Sequence, residues 1–123
     1  MKIANGLYGI KIFSGSRDTN PAGGAVVAIR DGSLNGGDSS CGYQGKIEPR
    51  GAGDNGTLQV QGTITMQHWN NAVAPVIPGA TLCKIEISGK YDPKNCSMIL
   101  EGRATNPYAS LRVEATRIGN LVE

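Results

Sequence analysis

Residues 57–67 read Thr-Leu-Gln-Val-Gln-Gly-Thr-Ile-Thr-Met-Gln, so Leu58, Val60, Gly62, Ile64 and Met66 share one side and Gln59, Gln61, Thr63, Thr65 and Gln67 the other. Side chains alternate faces along an extended chain, and this stretch therefore predicts a strand with one face on a core and one in water. The same period recurs further on. Cys83, Ile85, Ile87, Gly89 and Tyr91 alternate with Lys84, Glu86, Ser88 and Lys90, and Leu111, Val113 and Ala115 with Arg112, Glu114 and Thr116. Between them Met98, Leu100, Gly102 and Ala104 alternate with Ile99, Glu101 and Arg103, where Ile99 is the one misplaced apolar side chain. No window of helical length carries an apolar stripe at three-and-four spacing. The chain reads as all-β.

Towards the front, Tyr8, Ile10 and Ile12 share a face, residues 25–29 form a short valine-rich apolar run, and residues 41–48 add a strand through Tyr43, Gly45 and Ile47. Asp31-Gly32 separates residues 25–30 from 33–37, and a type I′ turn needs positive φ at both central positions, so this dipeptide predicts a tight hairpin. Pro93, lacking an N–H, ends pairing in the loop after Tyr91. Eight antiparallel strands result. A flat sheet of that size would twist and expose its edges, whereas closure removes them. Gly62, Gly89 and Gly102 lie mid-strand on the apolar face, where a missing Cβ suits a sharp bend or a close approach. The expectation is a small eight-stranded antiparallel up-and-down barrel, with a β-sandwich second. Residues 68–81, with Pro75 and Pro78, form the longest connection, expected to hold one helical turn or cross a barrel end.

With 123 residues there is room for one domain, residues 1–123, and one core. Twelve Lys and Arg against ten Asp and Glu give a net charge of +2, spread without a cluster, so no nucleic-acid partner is indicated. Gly numbers 18 but has no three-residue period, which excludes collagen. The opening Met1-Lys2-Ile3-Ala4 is interrupted by Asn5, Gly6 and Lys11 before a secretory apolar stretch can form, and residues 56–84 are too polar for a bilayer. Three cysteines, Cys41, Cys83 and Cys96, cannot all pair within one chain and show no zinc spacing. Reduced thiols in a cytoplasm fit this usage.

Asn5-Gly6-Leu7-Tyr8-Gly9-Ile10, Arg30-Asp31-Gly32, Gly36-Gly37-Asp38 and Tyr43-Gln44-Gly45, in that order and spacing, resemble the GrlR-type negative regulators of type III secretion and their bacterial relatives. The motifs span residues 5–47; from residue 57 onward the likeness is one of strand pattern and length. The resemblance implies a lipocalin-like barrel that forms homodimers, in a family whose founding member binds and sequesters a transcriptional activator instead of catalysing a reaction. In that member a run of acidic residues after the Tyr-Gln-Gly motif contacts the partner. Here the segment reads Glu48-Pro49-Arg50-Gly51-Ala52-Gly53-Asp54-Asn55, and the acidic run is missing.

Chemistry finds little support. Residues 51–56 match the GxGxxG string, but a strand follows where a helix N-terminus would have to hold the pyrophosphate, so the string is read as a hairpin loop. His68 is the only histidine, and no spacing fixes a nucleophile, carboxylate or second ligand beside it. It is read as a rim residue. Trp69 is either a plug for one barrel end or an anchor at a protein interface, with the plug favoured. Gly36, Gly37 and Asp38 are read as turn residues, like Gly32, and Gly6, Tyr8 and Gly45 as structural. Tyr43 is expected to point inward with its hydroxyl on a backbone group and Gln44 outward. Cys83 is placed inside; Cys96, after a turn, is placed within reach of solvent. Neither an enzyme nor a cofactor or metal is expected. Two functions remain. One is a dimeric cytoplasmic interaction module whose candidate surface is Arg50, Asp54, His68 and Trp69; the other is a barrel holding one small apolar molecule.

Overall fold

The computed structural model describes residues 2–15 and 19–122. Met1, with which the opening stretch above begins, lies outside them. Among the described residues the alternation resolves into eight strands: β1 (Gly6–Phe13), β2 (Gly23–Arg30), β3 (Ser33–Gly37), β4 (Cys41–Ala52), β5 (Leu58–His68), β6 (Leu82–Asp92), β7 (Ser97–Thr105) and β8 (Tyr108–Gly119). Each pairs antiparallel with the next, and β8 returns to β1, so the sheet closes as an up-and-down barrel. The inward rows are those the periodicity predicts. Val60, Ile64 and Met66 of β5 face the axis with Ile85 and Ile87 of β6, and Met98 and Leu100 of β7 continue the core. The β2–β3 hairpin turns on Asp31 and Gly32, whose φ values of 50° and 84° are the two positive angles a type I′ turn requires.

Closing eight strands around so narrow a core forces neighbouring backbones together at a few inward positions. At Gly62 a Cβ would land on the Lys46 carbonyl oxygen of β4, and at Gly45 on that of Thr63 in β5. Gly89 meets the Ile99 carbonyl of β7 in the same way, and Gly36 meets that of Val26 in β2. These are the corners of the barrel. Gly102 meets the other half of the expectation, close packing: its nearest neighbour is a side-chain methyl, Ile85 Cγ2 at 3.2 Å, so it makes room for side chains and not for a backbone crossing.

Both barrel ends are closed. At one, residues 2–5 cross the opening and Ile3 sinks into the core. At the other, the connection from Trp69 to Thr81 folds over the mouth with Ile77 and Ala80 buried and Val76 packed beneath them, without the helical turn that was one expectation. Trp69 is therefore not the plug. It is 63% exposed and lies outside, its Nε1 donating to the Asp38 carbonyl.

The outer wall is polar over β4 to β7. Across β4 to β7 it carries Lys46, Thr63, Glu86 and Arg103 in one cross-strand row and Glu48, Gln61, Ser88 and Glu101 in the next. Over these four strands, charge outside and hydrocarbon inside is the reverse of the lipid-facing band a membrane barrel presents. Among the described residues no helix is long and apolar enough to cross a membrane.

Candidate functional site

The lumen is the first place to look, since eight-stranded barrels can enclose a ligand. Its lining is wholly apolar, with Ile10, Val27, Ile64, Met98 and Val113 from around the wall and Val76 from the mouth. The space left between them is about 70 Å³. Ligand pockets for drug-sized molecules run to roughly 300–1,000 Å³, so the side chains here fill most of what the strands enclose.

The most organised polar cluster lies at the mouth closed by the Trp69–Thr81 connection, and it starts from Asp38. Its Oδ1 accepts the backbone N–H groups of Ser40 (2.8 Å) and Cys41 (2.7 Å), while Oδ2 accepts the Tyr43 hydroxyl (3.1 Å). Asp38 N–H in turn donates to the Cys41 carbonyl at 2.9 Å. Asp38 thus builds the β3–β4 turn as read, whereas Gly36 and Gly37, read as turn residues, are paired inside β3, where neighbouring backbone leaves no room for a Cβ. Tyr43 points inward as expected, but its hydroxyl meets this carboxylate and not the backbone; Gln44 faces out. Burial and the neighbouring negative charge push the Tyr43 hydroxyl well above the ordinary tyrosine range. The long connection then docks on the turn: Trp69 N–H donates to the Ser40 carbonyl and Asn70 Nδ2 to that of Ser39.

Ser40, His68 and Asp38, the three residue types of a hydrolytic triad, meet in this cluster. The geometry is wrong for one. Ser40 Oγ donates to the Val73 carbonyl (3.1 Å) and His68 Nε2 lies 2.8 Å from the same oxygen. A carbonyl only accepts, so Nε2 carries a proton there, and both groups are donors to one oxygen instead of a nucleophile and its base. Asp38 spends its bonds on the turn. His68 is a rim residue that ties the connection down, as read. Replacing Asp38 with alanine should cost about 2 kcal/mol in urea unfolding, since two N–H groups lose their acceptor, whereas Asp38→Asn keeps an Oδ1 and should lose under half of that.

Arg50 and Asp54 lie elsewhere. Asp54 sits in a short 3-10 turn, Asp54–Gly56, between β4 and β5, exposed and 2.9 Å from Lys90 Nζ, which draws its carboxyl below the usual range. The GxGxxG string therefore runs from strand to turn to strand, with no helix for an anion to cap. Arg50 borders an open hollow of about 670 Å³ on the outer wall, with Lys46 and Arg103 against Glu48, Glu86 and Glu101. Three charges of each sign balance there. The four residues of the candidate surface do not come together: β5 has 11 residues, and at roughly 3.3 Å per residue it sets Asp54 and His68 at opposite ends of the barrel.

Two features escaped the sequence reading. One is an exposed apolar face on the outside of β1, β2 and β8. Leu7 stands opposite Ala28 and Gly9 opposite Val26, and Ile118 overlies Gly9, 3.5 Å from where a Cβ would be. Leu121 and Val122 lie beside Ala28. The other is the bonding of residues 2–5, taken up below. Cys96 is half-buried against the core, less open than expected, and Cys83 is buried as expected. Among the described residues no three His, Cys, Asp or Glu side chains gather as a metal site. What the chain defines is a closed barrel with a nearly filled apolar core and apolar side chains outside. No family model and no curated protein matches it.

Proposed function

We propose that this chain is a non-catalytic cytoplasmic interaction module, a lipocalin-like barrel that forms a homodimer and binds a second protein from its outer surface. One contrast carries the reading: about 70 Å³ of space inside, against large apolar side chains outside, with Val26 at 48%, Ile118 at 61%, Trp69 at 63% and Leu82 at 63% exposure. Contiguous exposed apolar surface on a small domain is where partners bind. The β1–β2–β8 face, with Leu7, Val26, Ala28 and Ile118, suits a second copy, because a two-fold pair buries the same patch twice. Trp69 at the loop end suits a different partner, since an exposed indole whose side chain is held by one hydrogen bond can serve as an interface anchor. The resemblance to GrlR-type regulators supports a transcriptional regulator as that partner. The missing acidic run at residues 48–55 leaves the founding member's own activator unassigned.

Light scattering should give twice the chain mass at micromolar concentration. Val26→Lys combined with Ile118→Lys should return it to one chain mass, with Tm within a few degrees because both positions are exposed. A native monomer, or a dimer indifferent to both lysines, overturns the assignment of this face. The apolar lining favours a second reading, a carrier of one small apolar molecule. Titration with an apolar fluorophore tests it through the probe's own emission, since Trp69 lies outside the lumen. The proposed module gives no saturable signal; saturation at one probe per chain favours the carrier.

A further inference from the structure

Residues 2–5 cross the barrel end at which β1 begins, and the barrel grips them chiefly by their backbone. The Tyr8 hydroxyl donates to the Ala4 carbonyl at 2.6 Å, and the Ala4 N–H donates to the Tyr91 hydroxyl at 3.2 Å. Arg117 Nε donates to the Asn5 carbonyl at 2.8 Å. Of the side chains, Ile3 is sunk to 3% exposure and Ala4 is small and half-buried. Asn5 is clamped by Asp31, whose N–H donates to Asn5 Oδ1 at 2.8 Å while Asn5 Nδ2 donates to Asp31 Oδ1 at 3.3 Å.

Three side chains from β1, β6 and β8 thus read peptide groups, one apolar pocket reads an aliphatic side chain, and one turn reads a carboxamide. Backbone bonds for affinity and a side-chain pocket for specificity are how protein surfaces recognise extended peptides. The Tyr8 and Tyr91 rings are buried, so without residues 2–5 the Tyr8 hydroxyl would lose the Ala4 carbonyl and the Tyr91 hydroxyl the Ala4 N–H in a setting shut off from water. None of the backbone contacts depends on which chain supplies the peptide.

We infer that this end of the barrel is a binding site for an extended peptide of a partner protein, with a β-branched aliphatic residue, a small residue and an asparagine in that order, and that residues 2–5 occupy it in cis. A tethered segment competes at an effective concentration on the order of millimolar, so the intact chain holds its own site closed against a weak peptide. The contact is autoinhibitory. It uses none of the apolar residues of the β1–β2–β8 face, so the oligomeric state and this site can fail separately.

Two measurements on the full chain test it. In amide hydrogen exchange, the Ala4 N–H should open locally and exchange at least 100-fold faster than the amides of Val60 and Ile85 in the barrel wall. Exchange of Ala4 only at the rate of global unfolding overturns the inference, because the segment is then an inseparable part of the fold. In the second, Ile3→Asp should unseat residues 2–5 while circular dichroism still reports the barrel. Acetylated, amidated Lys-Ile-Ala-Asn should then shift the NMR signals of Tyr91 and Arg117 saturably, one peptide per chain and at least tenfold tighter than for the native chain, and Lys-Asp-Ala-Asn should not. A folded Ile3→Asp chain indifferent to the peptide overturns the inference, and so does an Ile3→Asp chain that cannot fold.

Discussion

Replacing Gly62 with alanine is expected to cost about 3 kcal/mol or more and to lower Tm by an amount on the order of 10 °C, while Gly102→Ala should cost under about 1 kcal/mol. Both glycines sit mid-strand on the inward face and look alike in sequence. Their surroundings differ. The methyl at Gly62 falls on the Lys46 carbonyl oxygen, with the Ile47 Cα 3.0 Å away, and β4 is held to β5 by pairing along its whole length, so relief requires moving backbone. At Gly102 the first obstacle is a methyl of Ile85 at 3.2 Å, and a side chain can turn aside by a few tenths of an ångström. Valine at Gly62 adds two more carbons to the same crossing and should abolish folding, given that domains of this kind have only about 5–15 kcal/mol to lose. Thermal melts by circular dichroism decide the matter. Equal costs at the two positions would mean that the sheet does not turn its corner between Lys46 and Gly62.

That contrast marks where periodicity stops informing. Alternation placed Val60, Ile64, Met66, Ile85 and Ile87 inside because every second side chain of a half-buried strand must avoid water, and a count of two suffices to find them. Asp31-Gly32 was legible for the same kind of reason, since few residues tolerate φ of 50° followed by 84°. The barrel ends were not. Ile3 and Ile77 are single apolar residues in irregular chain, with no repeat to betray them, yet they cover the two openings. Trp69 was misplaced by weighing its size above its position: His68 ends the inward row of β5, so the next residue points outward by the rule that put Met66 inside. The Asp38–Tyr43 bond joins residues five apart through the curl of β3 into β4, which no strand pattern encodes. The four residues of the candidate surface flank one strand in sequence, and the length of that strand is what parts them.

The second large effect is alkaline unfolding. Tyr8, Tyr43 and Tyr91 are buried, and burial before all else raises the ionisation of each above the ordinary tyrosine value of about 10. An unfolded chain releases these protons near that value while the folded chain keeps them, so above pH 10 the unfolded state binds fewer protons and stability falls as pH rises. Below pH 10 the contribution is complete. Tyr8 and Tyr43 each remove up to about 1.4 kcal/mol per pH unit beyond that point and together cost roughly 3 kcal/mol by pH 11, a large share of a small domain's stability, and Tyr91 adds in the same direction. The buried Cys83 thiol, also pushed up by burial, adds in the same direction. Phenolate absorbance of the three buried rings should therefore rise together with the loss of β-sheet ellipticity, as one cooperative step. Tyr43→Phe separates this linkage from general alkaline damage: it sacrifices the bond to Asp38 at neutral pH, but should recover up to about 1.4 kcal/mol of the stability lost by pH 11, because one buried proton fewer is at stake. If instead the buried tyrosines ionise near pH 10 with the sheet intact, water already reaches the Tyr8 and Tyr91 hydroxyls. Residues 2–5 would then leave that end of the barrel open, and the site assigned to them there would lack the apolar mouth on which its selectivity rests.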